Sequence, residues 1–236
     1  MAIAHDTATR FPTTNGTTGV NSVDTTTGTR TFTHSGSASA TAAVVMLLAT
    51  GNSAVVSGVL YGGVNMTLTT SATDTSEAGM VWIYTLTGNP IPQGSQTVSL
   101  LGCTATGKWA TCCTMTGTYP QVATSNATNT TTSANPTIAL TTTAASSMGY
   151  AAAHDGNAAP ATAMTTGTLL HSNDYGALCA NTGRMTAAVG AGTNSITFTI
   201  VSDDWCCAGV AFSEGVAHPV LPTHPYHAVQ AEEMAA

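Results

Sequence analysis

Charge is what this chain lacks most. Of 236 residues, 4 are Lys or Arg and 11 are Asp or Glu, or 6%, where a soluble domain usually carries about 25%. Four basic groups in a chain of net charge −7 leave no electrostatic footprint for nucleic acid or for an anionic membrane surface. Aromatic residues are also few, at 6%, and the Glu/Lys/Leu heptads of a coiled coil are missing. A hydrophobic share of 43% separates the chain from acidic disordered sequences. The longest nearly apolar run, Ala42 to Ala49, is too short to span a bilayer. The opening stretch MAIAHDTATRFPTTNG has no basic start followed by an apolar segment, so no signal peptide is expected.

What is present is small and β-branched. The chain holds 47 Thr, 38 Ala and 23 Gly. Thr favours strands and suits the solvent face of a sheet. Period-two alternation predicts strands over Ala54 to Tyr61 and Val64 to Leu68, the second with Val64, Met66 and Leu68 on one face. Val81 to Leu86 reads as a strong strand, closed by the loop Gly88-Asn-Pro-Ile-Pro-Gln-Gly94. Gln96 to Leu101 resumes with Val98 and Leu100 inward. Further strands are expected over Lys108 to Thr116, Thr137 to Thr141, Ser147 to Ala153 and Met164 to Leu170, and more weakly over Arg184 to Val189. Asn194 to Val201 and Trp205 to Phe212 close the series. Helical periodicity with caps is not found, and only Ala139 to Ala153 and the last residues tolerate a helix. Ala123 to Ala134 (ATSNATNTTTSA) reads as a long exposed loop. No fixed-period repeat is detectable, which argues against a solenoid or propeller. The fold class expected is all-β, with short strands between Gly, Pro and Asn turns indicating an antiparallel sandwich or a barrel.

Candidate chemistry is thin. His154-Asp155 and His171-Ser-Asn-Asp174 could pair a base with an orienting carboxylate, but no G-x-S-x-G nucleophile elbow accompanies them, and they read as loop residues. Six cysteines occur at 103, 112, 113, 179, 206 and 207; free buried thiols are the first expectation for a chain without a secretion signal, and a local bridge from Cys103 to Cys112 or Cys113 is the alternative. Adjacent Cys112-Cys113 and Cys206-Cys207 should send one thiol into the core and one outside, unlike a zinc-ligand pair. Asp203-Asp204 with Asn173-Asp174 lacks the spacing of a calcium loop. His218, His224 and His227 read as part of a docking segment, not as metal ligands. Trp82, Trp109 and Trp205 are expected in the core. Matches to Asn-x-Ser/Thr at Asn15, Asn65, Asn126 and Asn129 are expected by chance in a Thr-rich chain. No catalytic residue, metal site or cofactor is assigned, and the chain is not expected to be an enzyme.

The stretch Val55-Val-Ser-Gly-Val-Leu-Tyr-Gly-Gly-Val-Asn-Met-Thr-Leu68 resembles a hairpin of β-sandwich proteins in tailed bacteriophages and prophages. Val81-Trp-Ile-Tyr-Thr-Leu86, Pro90-Ile-Pro-Gln-Gly94 and Thr97-Val-Ser-Leu100 follow in the order seen in that family, and Ser195 to Val201 with Trp205 to Phe212 are similar to its last hairpin. The resemblance covers about residues 30–213 and carries no catalytic residues. It implies a jelly-roll-like sandwich over 30–216, with an N-terminal arm over 1–29 and a Pro/His-containing arm over 217–236. It further implies a virion structural protein, made in a host cytoplasm, of the capsid decoration or cement type. Such a protein docks on the major capsid protein and on copies of itself, as a homo-oligomer. Phe11, Pro12, His218, Pro219, Leu221, Pro222, Pro225 and Tyr226 are the expected docking residues. The alternative is a tail- or fibre-associated lectin-like module that stacks host glycan on Trp109, Tyr119 or Tyr175.

Overall fold

Thr, Val and Ala in period-two runs form strands here almost without exception. A computed structural model describes residues 3–12, 23–51, 53, 55–76, 78–88, 91–104, 106–133, 135–142, 145–156, 163–174, 179–200 and 203–214, without the side chains of 118–133 and 174. It is 74% strand, with no helix and only antiparallel sheets among the described residues.

Four sheets are formed. Sheet I contains β2 (Gly28–Ser35), β8 (Ser95–Cys103), β4 (Gly58–Tyr61) and β5 (Val64–Asn65), in that order. Sheet II runs β1 (Ala4–Phe11), β9 (Lys108–Thr116), β3 (Ala40–Thr50), β7 (Gly79–Thr87), β6 (Thr67–Asp74). Sheet III runs β10 (Thr118–Ser133), β17 (Asp203–Glu214), β12 (Ser147–Asp155), β15 (Cys179–Arg184), β14 (Thr168–Asp174). Sheet IV contains β11 (Thr137–Thr142), β16 (Gly192–Thr199) and β13 (Ala163–Thr166).

The sheets stack in the order I, II, III, IV, and the inner two are buried on both faces. Strand β3 shows why its run looks uniformly apolar. Ala42, Val44, Met46 and Leu48 face the core shared with sheet III, while Ala43, Val45, Leu47 and Ala49 face the core shared with sheet I. A strand covered on both sides needs apolar residues at every position, and each large one contributes about 1.5–3 kcal/mol by burial. On β12 and β17 small residues fill the same need. Ala151, Ala152, Ala153, Ala208 and Ala211 are fully buried.

The chain builds these sheets in two passes. Strands β1 to β9 make sheets I and II; strands β10 to β17 make sheets III and IV. The order β1-β9-β3-β7-β6 has the same pattern as β10-β17-β12-β15-β14, and β2-β8-β4 the same as β11-β16-β13. The irregularity between Leu68 and Thr70 in β6 recurs between Leu169 and His171 in β14. The molecule is therefore a tandem repeat of one sandwich topology, joined at Gly117, whose φ of 70° suits glycine. The two copies pack through equivalent sheets, with strand order reversed. Strand β6 lies on β10 and β17, and β3 lies on β12.

Several expectations change. Residues 123–133 belong to β10, paired along its length with β17, and are not a loop. Ala4–Phe11 is an edge strand of sheet II, not part of a free arm. The single span 30–216 holds most of two sandwiches. Val64 and Leu68 are exposed, and only Met66 of that face is buried, because β5 is two residues long and the chain changes sheets at Met66. Met164 to Leu170 is broken at Gly167 into strands of different sheets. Residues 185–189 form no strand beyond a bridge at Val189. Residues 217–236 lie outside the described residues.

Candidate functional site

Polar side chains inside an all-β stack are costly unless paired, so those between sheets mark where chemistry could reside. Three groups occupy the layer between sheets II and III.

At the β6 end, His154 of β12 is buried with neither ring nitrogen hydrogen-bonded. It packs on Gly79, close to Asp74 and Cys206. Burial lowers its pKa to about 4, against the pull of Asp74. The Cys206 thiol donates weakly to the Gly79 carbonyl at 3.7 Å, and burial pushes its pKa up strongly, assisted by Asp74. A neutral imidazole beside a protonated thiol is not a thiolate–imidazolium pair, so this group acts as packing.

In the middle, Thr111 Oγ1 and Thr182 Oγ1 bridge the sheets at 3.0 Å, and His5 Nδ1 lies 2.9 Å from the Tyr150 hydroxyl. Burial and then Arg184 lower the His5 pKa to about 4. Arg184 Nη1 donates to the carbonyls of Met185 at 2.7 Å and Thr186 at 3.0 Å.

At the β1 end the sheets leave an open cleft of about 360 Å³, lined by Ala8, Thr9, Arg10, Thr111 and Leu170. His171 is buried next to it, with the Asn173 amide 2.6 Å from its Nε2. Burial, then the Arg10 charge, lowers the His171 pKa to about 4.

Two further polar groups serve structure. Lys108 is fully buried, and its Nζ donates to the carbonyls of Asp24 (3.2 Å), Thr26 (2.9 Å), Thr104 (3.0 Å) and Thr106 (3.4 Å), with Asp24 Oδ2 at 3.7 Å. Asp24 also pairs with Arg30 at 2.9 Å. Between sheets I and II, Asp6 accepts from Ser37 N–H (2.6 Å) and Thr114 Oγ1 (2.9 Å), and Thr114 Oγ1 lies 3.1 Å from His34 Nε2. Burial raises the Asp6 carboxyl, but these hydrogen bonds outweigh it and the pKa is lowered.

The expected site residues fall as follows. Phe11 is buried and stacks on Phe32 at 5.3 Å, so its side chain is used within the chain's own core. Pro12 follows it, half-buried. His218, Pro219, Leu221, Pro222, Pro225 and Tyr226, with His224 and His227, lie outside the described residues. Trp109 is 1% exposed on β9 and offers no sugar platform, and Trp82 and Trp205 are buried as expected. The side chains of Tyr119 and Tyr175 are not among those described. His154, Asp155 and His171 lie in strands, not loops. All six cysteines are free and buried. In each adjacent pair the thiols do point to opposite faces, but both faces are core. Cys112 faces sheet I and Cys113 faces sheet III, while Cys207 donates to the Thr137 carbonyl in sheet IV. Asp203 and Asp204 begin β17, with Asp204 N–H donating to Asp203 Oδ1. No group of three or more His, Cys, Asp or Glu able to hold a metal occurs among the described residues.

His171 was singled out as part of a His/Asp group, but Arg10 and its nearness to His171 escaped sequence reasoning, because no motif links two residues so far apart in the chain. Their signal was scarcity: with four basic residues, each one's setting is informative. Searches against protein-family models, curated proteins and solved structures find no match to this chain.

Proposed function

We propose that this chain is a structural protein of tailed-bacteriophage particles, of the capsid decoration or cement type, with a jelly-roll-like arrangement in each sandwich. It resides on the virion and docks on the major capsid protein and on further copies of itself. The observation that carries this reading is the combination of a four-layer stack with a neutral outer face. On sheet IV, hydroxyls pair across strands, Thr137 with Thr197 and Thr141 with Thr193 at 3.1 Å, and Thr165 with Thr199 at 3.3 Å. A face of paired hydroxyls is wetted without ion pairs, which suits a rigid surface module that keeps its contacts across salt conditions. The buried thiols fit the same role, and burial pushes the pKa of Cys112 and Cys113 up, which favours packing over reactivity.

Because Ala4–Phe11 is built into sheet II, the proposal rests docking mainly on residues 217–236. The test is to delete 217–236 and measure incorporation into particles. Loss of incorporation, with the sandwiches still folded by circular dichroism, is expected. Undiminished incorporation, or release of the intact subunit by moderate salt, overturns the reading.

A further inference from the structure

The cleft at the β1 end holds a basic group that the fold does not use. Of the four basic side chains, Arg30 pairs with Asp24, Lys108 is caged by carbonyls, and Arg184 is bound to two carbonyls. Arg10 alone makes no hydrogen bond or ion pair with any described residue, and it lines a cavity of about 360 Å³. No carboxylate lines that cavity among the described residues. Asp6, two strand positions beyond Ala8, turns to Ser37 and Thr114 on the sheet I side.

The tandem repeat supplies an internal comparison. In strand register, Arg10 opposite Thr111 corresponds to Asn126 opposite Ala208. His171 opposite Thr182 corresponds to Thr70 opposite Ile83, and Asn173 to Ala72. The far end of the same interface, where β6 meets β10, is therefore built without Arg, His or Asn at the β1-end positions, apart from Asn126. The framework does not require them.

We propose that this cleft binds a small hydroxylated carboxylate of the uronic-acid type. Arg10 receives the carboxylate through its fork of N–H donors. The Thr111 hydroxyl, with a lone pair beyond its partner Thr182, meets a ligand hydroxyl, while Thr9 turns its own hydroxyl to His34 on the sheet I side and leaves its backbone at the cleft. Ala8 and Leu170 cover the apolar face of the ring. The volume lies at the lower end of the range for small-molecule sites, about 300–1,000 Å³, and fits one sugar unit. His171 is not a lining residue; it is buried next to Leu170, close enough to feel the Arg10 charge, and its ring is held by Asn173. This inference does not depend on a virion role.

The test is a calorimetric and NMR titration of the full chain with glucuronate, glucose, acetate and inorganic phosphate. Saturable binding of glucuronate in the millimolar range is expected, with no binding of glucose and binding of acetate or phosphate at least about tenfold weaker. Perturbation of the His171 imidazole resonances should report the site. Arg10→Gln should weaken glucuronate by about tenfold or more. Ala8→Asp, which places a competing carboxylate beside Arg10 at an exposed position, should abolish binding while leaving the unfolding midpoint nearly unchanged. Three results each overturn the proposal: no glucuronate binding, equal binding of phosphate or acetate, or binding that survives both substitutions.

Discussion

Gly79 shows how tightly the β6 end of the inner interface is drawn. A Cβ at this position would overlap the ring of His154, which comes from the other sandwich. Its backbone is unstrained, so the requirement is for space, not for an unusual φ. Gly79→Ala should therefore cost about 1–3 kcal/mol through overpacking, read as a lower urea midpoint. Gly58→Ala is the matched control, because its added Cβ would meet Leu101 at an ordinary 3.8 Å. Equal midpoints for the two variants would contradict the close approach of β7 and β12. Residue-level expectations went wrong mainly at this interface. Histidines and cysteines read as loop or half-exposed residues because nothing in a single strand shows that a third and fourth sheet will cover it.

Among the elements, legibility followed the number of buried faces. Gln96 to Leu101 and Asn194 to Thr199 alternate because β8 and β16 lie in outer sheets, and their inward residues Val98, Leu100, Ile196 and Phe198 are all fully buried. Strand β3 was visible only as an apolar run. Strand β10 was hidden, because its Thr, Asn and Ser residues carry no apolar alternation and its place is set by pairing with β17. The repeat was hidden for a similar reason. A sandwich strand needs period two and adequate volume, so Leu48 can correspond to His154 and Val44 to Tyr150 without any shared identity. On β12 the buried Ala152 faces sheet II in a narrow gap. Ala152→Leu is expected to lower stability by about 1–3 kcal/mol, measured by denaturant titration. The same change at exposed Ala139 on β11 should have little effect.

For the whole molecule, the titration of four described histidines sets the acid limit. His5, His34, His154 and His171 each have a pKa lowered to about 4, with burial the leading cause in every case. The unfolded chain binds protons near pH 6.5 while the folded chain does not, so stability is full above pH 6.5 and falls as pH drops towards 4. The buried His154 alone should account for about 3 kcal/mol across that window. Below it, Asp6 and Asp24, whose pKa values are lowered in the fold, begin to protonate and the loss continues. Unfolding free energy measured from pH 8 to 4 should decline most steeply between 6.5 and 4. His154→Leu should flatten part of the slope, and a profile level across that interval would refute the buried neutral histidines.

The shared strand order of the two passes gives this chain something single sandwiches lack. Register-matched positions in sheets II and III are counterparts in the same molecule and the same solvent, so the effect of a side chain can be separated from that of its place in the sheet. Placing the residue of one twin position at the other, such as Thr70→His with His171 left in place, becomes a controlled experiment within one polypeptide, with the untouched copy as its reference.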